Sequence, residues 1–305
     1  MTPVRFAPIA GSMDRSHRLM PLLAALLGVA LFSVMDAAMK RASISGGVYN
    51  ALLFRNVIGA ALMWPLWRLS GGRWPGLENL KVHLLRSAVV AGMAVLFFWG
   101  LVRVPMAEAI ALSFFAPLIA IYLASVLLGE RVRPGAVLAS LLGLAGVLVI
   151  AGGRLGQGAM DAETARGMAA VLGSAVLYAV NLVIQRRQAQ VASPQEIALF
   201  QNLCAGGIFA LAAPWLAVVP EPGVMADIAL SAALAAAALM LLAWAYARAE
   251  AQALVATEYS AFIWAALMGW LRFGEVLAWP VAAGAGLIVT ACWLAARRHT
   301  EVTSL

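Results

Sequence analysis

Charge is scarce in this chain. Its 305 residues include 21 Lys and Arg and 14 Asp and Glu, so charged residues make up only 11%. Soluble domains carry about 25%. A soluble fold of this length needs a charged skin that so few residues cannot supply. That excludes a cytosolic enzyme, a disordered regulator and a nucleic-acid binder. The net charge of +7 would hint at nucleic acid in a soluble protein; in an apolar one it follows from basic residues gathering on the cytoplasmic side. Histidine is rarer still, and His17, His83 and His299 all fall in tails or connections. There is no HExxH, no GxSxG and no Gly-Lys dipeptide. Zinc hydrolysis, a nucleophile elbow and an ATP-binding phosphate loop therefore have no foundation. Cys204 and Cys292 both sit in apolar runs without a CxxC, so they are expected to be inert hydrophobes. No metal and no cofactor are expected, and the chain is not expected to be an enzyme.

What the chain has in abundance is hydrophobic residues, at 64%, with a mean hydropathy of +0.91. A membrane-crossing helix needs about 20 mostly apolar residues. Ten runs qualify: Leu19–Lys40, Val48–Trp67, Leu84–Val102, Ala107–Leu128, Gly135–Ala151, Gly167–Gln185, Ile197–Leu216, Ala226–Tyr246, Ala253–Leu271 and Val276–Ala296. They are continuous rather than alternating and longer than the ~10 residues of a barrel strand. No gap between them could hold a soluble domain. Residues 1–18 are polar and broken by prolines, which suits a short cytoplasmic tail better than a secretory signal.

With the N-terminus inside, fourteen Lys and Arg fall on cytoplasmic segments and six on outer ones, with Arg55 left within a span. This asymmetry predicts that both termini are cytoplasmic. Trp64, Trp67 and Trp74 would then lie at the inner interface, and Trp215, Trp270 and Trp279 at the outer one.

Sliding the chain against itself by 145–146 residues uncovers a repeat. Ala51-Leu-Leu-Phe-Arg-Asn56 falls on Ile197-Ala-Leu-Phe-Gln-Asn202, and Lys40-Arg41 falls on Arg186-Arg187. Trp99 and Arg103 fall on Trp244 and Arg248, and Gly129-Glu130 on Gly274-Glu275. Each copy holds five spans. Five is odd, so the second copy enters the membrane upside down. Inverted repeats let two similar halves exchange conformations and alternate the open side, as secondary transporters do. The expected fold is an all-α integral membrane protein: ten transmembrane helices arranged as two inverted five-helix repeats around a central cavity. The expected limits are 19–153 for the first repeat and 167–298 for the second. A periplasmic linker at 154–166 and a cytoplasmic tail at 299–305 complete the chain.

Ten spans, a five-plus-five duplication and Gly-Glu after the fourth and ninth spans resemble the EamA family of the drug/metabolite transporter superfamily. Ala107–Pro117 with Gly129-Glu130-Arg131 resembles that family's fourth helix and following turn. The second copy departs from the pattern, with Phe262 in the place of Pro117. The resemblance implies a multi-pass carrier of the bacterial inner membrane. It would export small metabolites, most of all amino acids, aromatic or neutral ones among them. Riboflavin, S-adenosylmethionine or nucleotide-like cargo are the alternatives, with a membrane enzyme behind them. The implied partners are the small-molecule substrate and the lipid bilayer. A homodimer and a monomer are equally compatible with the sequence.

A charge inside the bilayer demands a partner or a wet cavity, so the few intramembrane polar residues are the candidate site. Asp36 lies near the outer end of span one, four residues before Lys40 and on its face. Arg55 lies at a similar depth, and an Asp36–Arg55 pair would serve as a gate or a carboxylate anchor, or else as a structural pair. Glu258, beside Tyr259, is a proton carrier, an amine contact, or a headgroup-level residue of a helix that starts late. Tyr178, Asn181 and Gln185 share one stripe of span six, which fits either cavity lining or interhelical glue. Trp264 stands near the middle of span nine. Asn56 and Asn202 occupy matching places and suit structural hydrogen bonds or gating, as do Lys40 and Gln185. Glu130 and Glu275 are expected to cap the helices that follow. Ala139/Gly143 and Ala282/Gly286 would allow close helix contact, within one chain or between two.

Overall fold

A computed structural model describes residues 15–128, 134–156, 161–188, 191–248, 254 and 257–300. The Gly129-Glu130-Arg131 turn, the start of the ninth span at Ala253 and the tails at 1–14 and 301–305 lie outside the described residues. Everything described is helix or short connection. In the first repeat the helices are α1 (Arg15–Gly46), α2 (Val48–Leu69), α3 (Leu77–Leu101), α4 (Met106–Ser113), α5 (Ala116–Leu128) and α6 (Pro134–Gly156). In the second they are α7 (Ala162–Gln188), α8 (Pro194–Ala210), the single turn α9 (Ala213–Leu216), α10 (Pro222–Tyr246), α11 (Ala261–Phe273) and α12 (Trp279–Thr300). Four stretches are long and apolar enough to cross a membrane by themselves: Leu19–Gly46, Leu77–Leu101, Ala162–Gln185 and Pro222–Tyr246. Span two is one unbroken helix of 22 residues that carries Arg55 and Arg68, and the other spans are shorter apolar helices or helices broken in two.

The helix ends follow local chemistry. Gly47, at φ +79°, separates α1 from α2 in a conformation that costs glycine nothing. Ser193 caps α8 by accepting from the Glu196 N–H at 3.2 Å, three residues ahead as in a capping box. Asp161 accepts from the Thr164 N–H at 2.7 Å at the start of α7. That bond holds the exposed Asp161 carboxyl below the usual carboxylate range.

Span four breaks at Phe114–Phe115. Pro117 has no N–H to donate and its ring crowds the carbonyl four residues back, so the chain passes through a tighter turn in which the Phe115 N–H donates to the Leu112 carbonyl at 3.1 Å. Span nine breaks at the matching Tyr259–Ser260 without any proline. There Thr257 Oγ1 donates to the Leu254 carbonyl and Ser260 Oγ to the Thr257 carbonyl, both at 2.6 Å. Hydroxyls satisfy the carbonyls that a break leaves over.

The packing repeats across the two copies. α1 packs along α10, and its repeat counterpart α7 packs along α3. α2–α8 and α6–α12 each join a helix to its own counterpart, and α4–α11 joins the first half of span four to the second half of span nine, so a pseudo-two-fold axis passes through these crossings. At α6–α12 a Cβ on Gly146 would stand 2.6 Å from the Gly284 carbonyl oxygen, and one on Gly284 2.5 Å from that of Gly146. The small-residue contact between these two helices is therefore within the chain and is made by Gly146 and Gly284, while Gly143 of the expected stripe packs instead against Leu118 of α5, where a Cβ would run into Leu118 Cδ1. Gly286 faces open space.

Leucines such as Leu19, Leu23, Leu138, Leu141 and Leu148 are exposed, as suits a lipid-facing belt. Trp64, Trp74, Trp215, Trp270 and Trp279 are exposed as well, but Trp67 is buried against Phe200 and Trp74. α3 starts seven residues before the expected span. His83 and Arg86 are consequently helical and buried rather than in a connection.

Candidate functional site

Polar side chains gather at two ends of the bundle and around its middle. The near end is where α1 begins, and the far end is where it finishes.

At the far end, Gly274 takes a left-handed conformation, φ +64°. The Glu275 N–H then donates to the Gly269 carbonyl at 3.1 Å, closing α11 in the manner of a glycine C-cap. The turn throws the Glu275 side chain back into the bundle. Lys40 Nζ donates to Glu275 Oε1 at 2.5 Å and to the Val104 carbonyl at 2.9 Å. The Met106 N–H donates to Glu275 Oε2 at 2.7 Å. Glu275 therefore does not cap α12, which begins four residues later; it clamps α1 to the start of α4. Arg154 holds Glu108 Oε2 through Nε at 2.8 Å and Nη2 at 2.6 Å. Glu108 is fully buried and its Oε1 has no hydrogen-bond partner. A cavity of about 450 Å³ lies beside these groups, with Glu108, Arg154, Glu275 and Ala266 on its walls. Arg41 pairs with Asp227 through two bonds of 2.5 and 2.9 Å at the periphery.

At the near end, Arg86 Nε donates to Asn181 Oδ1 at 2.9 Å and its Nη1 to Gln188 Oε1 at 2.8 Å. Gln188 Nε2 lies 2.7 Å from His83 Nδ1, and His83 Nε2 lies 3.1 Å from Glu196 Oε1. With its Oε1 taken by Arg86, the Gln188 amide presents its N–H to His83 Nδ1, so the His83 proton sits on Nε2 and faces Glu196. This chain ties α3 to α7 and α8. Asn181 is thus engaged in interhelical bonding, while Gln185 is exposed at the end of α7. Tyr178 remains accessible, and both Arg86 and Glu258 lie within its electrostatic reach. Tyr246 donates its hydroxyl to Glu258 Oε1. Glu258 is itself accessible.

Around the middle, the two helix breaks meet. The rings of Phe114 and Tyr259, matching residues of the two repeats, stack edge to face with centroids 5.4 Å apart. Asp36 is buried, and Arg55 is the charge that acts on it. Among the described residues no ion pair of 4.0 Å or less joins the two. Arg55 Nε is buried with no hydrogen-bond partner. Arg55, Asn56, Gln201 and Asn202 line a cavity of about 70 Å³ between α2, α3, α8 and α10. Asn56 and Asn202 each donate to the carbonyl four residues back, both at 2.8 Å, and lie against Gly206 and Gly59 of the other repeat. Trp264 is half-buried on α11.

Sequence reasoning missed Glu108, Arg154 and Arg86, having counted the two arginines only for membrane orientation. Each lies close to the end of a span, where burial depends on which neighbour covers it.

The chain matches the EamA-like transporter family over residues 19–152 and again over 165–297. It belongs to that family. Among relatives of this EamA-like protein, the pseudopaline exporter CntI of Pseudomonas aeruginosa (strain UCBPP-PA14) is 26% identical over 274 residues, covering 89% of this chain and 94% of the relative. The aromatic amino acid exporter YddG of Ancylobacter novellus is 29% identical over 192 residues, 58% of this chain and 61% of that protein. The riboflavin transporter of Brucella anthropi is 26% identical over 121 residues, 39% of this chain and 43% of its own length. A crystal structure 24% identical in sequence superposes with a TM-score of 0.62, covering 93% of this chain and 99% of the other; it shares the fold. The chain is thus a multi-pass membrane protein of a transporter family, with small-molecule cargo.

Proposed function

We propose that this EamA-like protein exports small metabolites, amino acids above all, across the bacterial inner membrane by alternating access. In this reading both termini are cytoplasmic, so the near end faces the cytoplasm and the far end the periplasm. The two repeats run over 19–153 and 167–298, joined by a periplasmic linker at 154–166. One observation carries the reading: the fourth and ninth spans break at matching residues and meet at Phe114 and Tyr259. Broken helices at a repeat interface are where transporters bind cargo and flex.

Roles follow from chemistry. Cargo enters past the accessible Tyr178, Tyr246 and Glu258. Glu258 meets an amine or carries a proton. Arg55, with a buried Nε and no carboxylate in contact, receives the carboxylate of the cargo, and Asp36 balances its charge. Tyr259, Phe114 and Trp264 offer apolar faces to a side chain. Asn181, Asn56 and Asn202 hold helices together, and Gln185 stands exposed at the cytoplasmic end of α7. Export of a pseudopaline-like compound is the second reading, favoured by the length over which CntI matches.

Counterflow into proteoliposomes tests both. Labelled phenylalanine, tryptophan, threonine or methionine should exchange against the same unlabelled compound inside. No exchange of any amino acid, with exchange of pseudopaline or riboflavin, would transfer the cargo to that class.

A further inference from the structure

Glu275 is the one carboxylate among the described residues that joins three separately anchored pieces: α1 through Lys40, the start of α4 through Met106, and its own α11–α12 connection. Lys40 is 5% and Glu275 17% exposed. The pair crosses from the first repeat to the second. Arg41–Asp227 also crosses, but Arg41 is half exposed and the pair joins α1 to α10, which pack along each other anyway. Close to Lys40 stands a second carboxylate of its own repeat. Glu108 lies within electrostatic reach of Lys40 and, with Oε2 given to Arg154, keeps a buried Oε1 that nothing satisfies. Leaving such an acceptor unpaired is costly.

We propose that Lys40 is a two-position latch. Bound to Glu275 it holds the far end shut; moved to Glu108 Oε1 it lets that end open. The inference rests on the alternating-access reading above. The exchange replaces a bond between repeats with one inside the first repeat. The α11–α12 connection is left with only the Met106 N–H as its tie to the first repeat, Lys40 keeps a partner, and the empty acceptor of Glu108 is filled. Glu275 is the group left over, and entering water hydrates it. A buried ion pair recovers its desolvation cost when water reaches it, so the latch is strong while dry and yields once wetted.

Ser33 is the natural reporter. It is buried and lies seven residues, two helical turns, inward of Lys40 on the same face of α1. Ser33→Cys is placed in a background with Cys204→Ala and Cys292→Ala that retains transport. A membrane-impermeant maleimide is applied to each face of membrane vesicles in turn, and a control cysteine at the exposed far-end Val219 reports which face is which. From the far face, Glu275→Gln and Lys40→Met should speed labelling at least about tenfold, because losing a buried ion partner shifts an equilibrium by more than that. Lys40→Arg should label as the parent does. Glu108→Gln should label more slowly than the parent, since the second position has lost its charge. If Glu275→Gln leaves the rate unchanged, or Glu108→Gln accelerates it, the latch is wrong. Should the Glu275 and Lys40 variants fail to fold, the Glu108→Gln arm decides alone: a rate equal to or above the parent's overturns the proposal. Labelling needs no cargo, so its failure is distinct from a failure of counterflow.

Discussion

Two arginines, Arg86 buried and Arg55 half-buried, show how the same side chain is used in opposite ways. Arg86 spends its donors on Asn181 and Gln188 and locks α3 to α7. Arg55 keeps a buried Nε without a partner, and the second repeat has the neutral Gln201 in its place. The charge is thus a feature of the first repeat alone, where it faces the buried Asp36. Arg55→Gln should raise the KM for a carboxylate-bearing cargo about tenfold or more, the worth of a charge-assisted hydrogen bond at roughly 1.5–3 kcal/mol. Thermal stability in detergent should fall, because Arg55 is the charge that acts on the buried Asp36 and its removal leaves that carboxylate uncompensated. An unchanged KM would take the carboxylate contact away from Arg55. From sequence the residue was recognisable as a rare charge inside a span, and so was Asp36. That the two stay out of direct contact was not recognisable, since helical periodicity gives a depth and a face but no distance between helices.

At the scale of elements, the glycines of α6 and α12 separate permissive positions from tight ones. In an open helix, alanine is better than glycine by about 1 kcal/mol. Overpacking a tight contact costs about 1–3 kcal/mol. At Gly284 the obstacle is the Gly146 carbonyl oxygen, which is backbone and cannot rotate away. Gly284→Ala should therefore lower the melting temperature, whereas Gly286→Ala, which meets nothing within 4 Å, should leave it unchanged or raise it. Equal behaviour of the two would mean the helices do not cross there. The breaks in spans four and nine carry the same lesson. Pro117 announces one in the sequence. The other is made by Thr257 and Ser260, residue types that sit in many unbroken helices, and only the geometry of their carbonyl contacts distinguishes this use.

For the whole molecule, the odd number of spans per repeat and the inverted packing describe one symmetry. α1 against α10 and α7 against α3 are the same interaction seen from opposite faces. The ends are nevertheless chemically different. The far end is joined by Lys40–Glu275, and the near end by the Arg86–Gln188–His83–Glu196 chain. Each end would then open under its own conditions. Orientation sets which compartment meets which end. Fusions of a reporter active only in the cytoplasm should give signal at both the N- and the C-terminus. Signal at one terminus alone would mean an odd number of crossings, and signal at neither would reverse the ends assigned here.

The sequence by itself determined the membrane as solvent, the helical class, the duplication and its inversion. These rest on composition, on run length and on parity, quantities that survive without knowing a single contact. Only the tertiary structure decided which polar residues work together. Glu275, expected to cap a helix, proved to clamp three elements, because a left-handed glycine redirects its side chain into a space that other helices enclose. His83 and Arg86 moved from the membrane edge into a buried chain because α3 starts early and α7 and α8 cover its first turns. Burial and pairing are properties of neighbours distant along the chain, and neighbours exist only after folding.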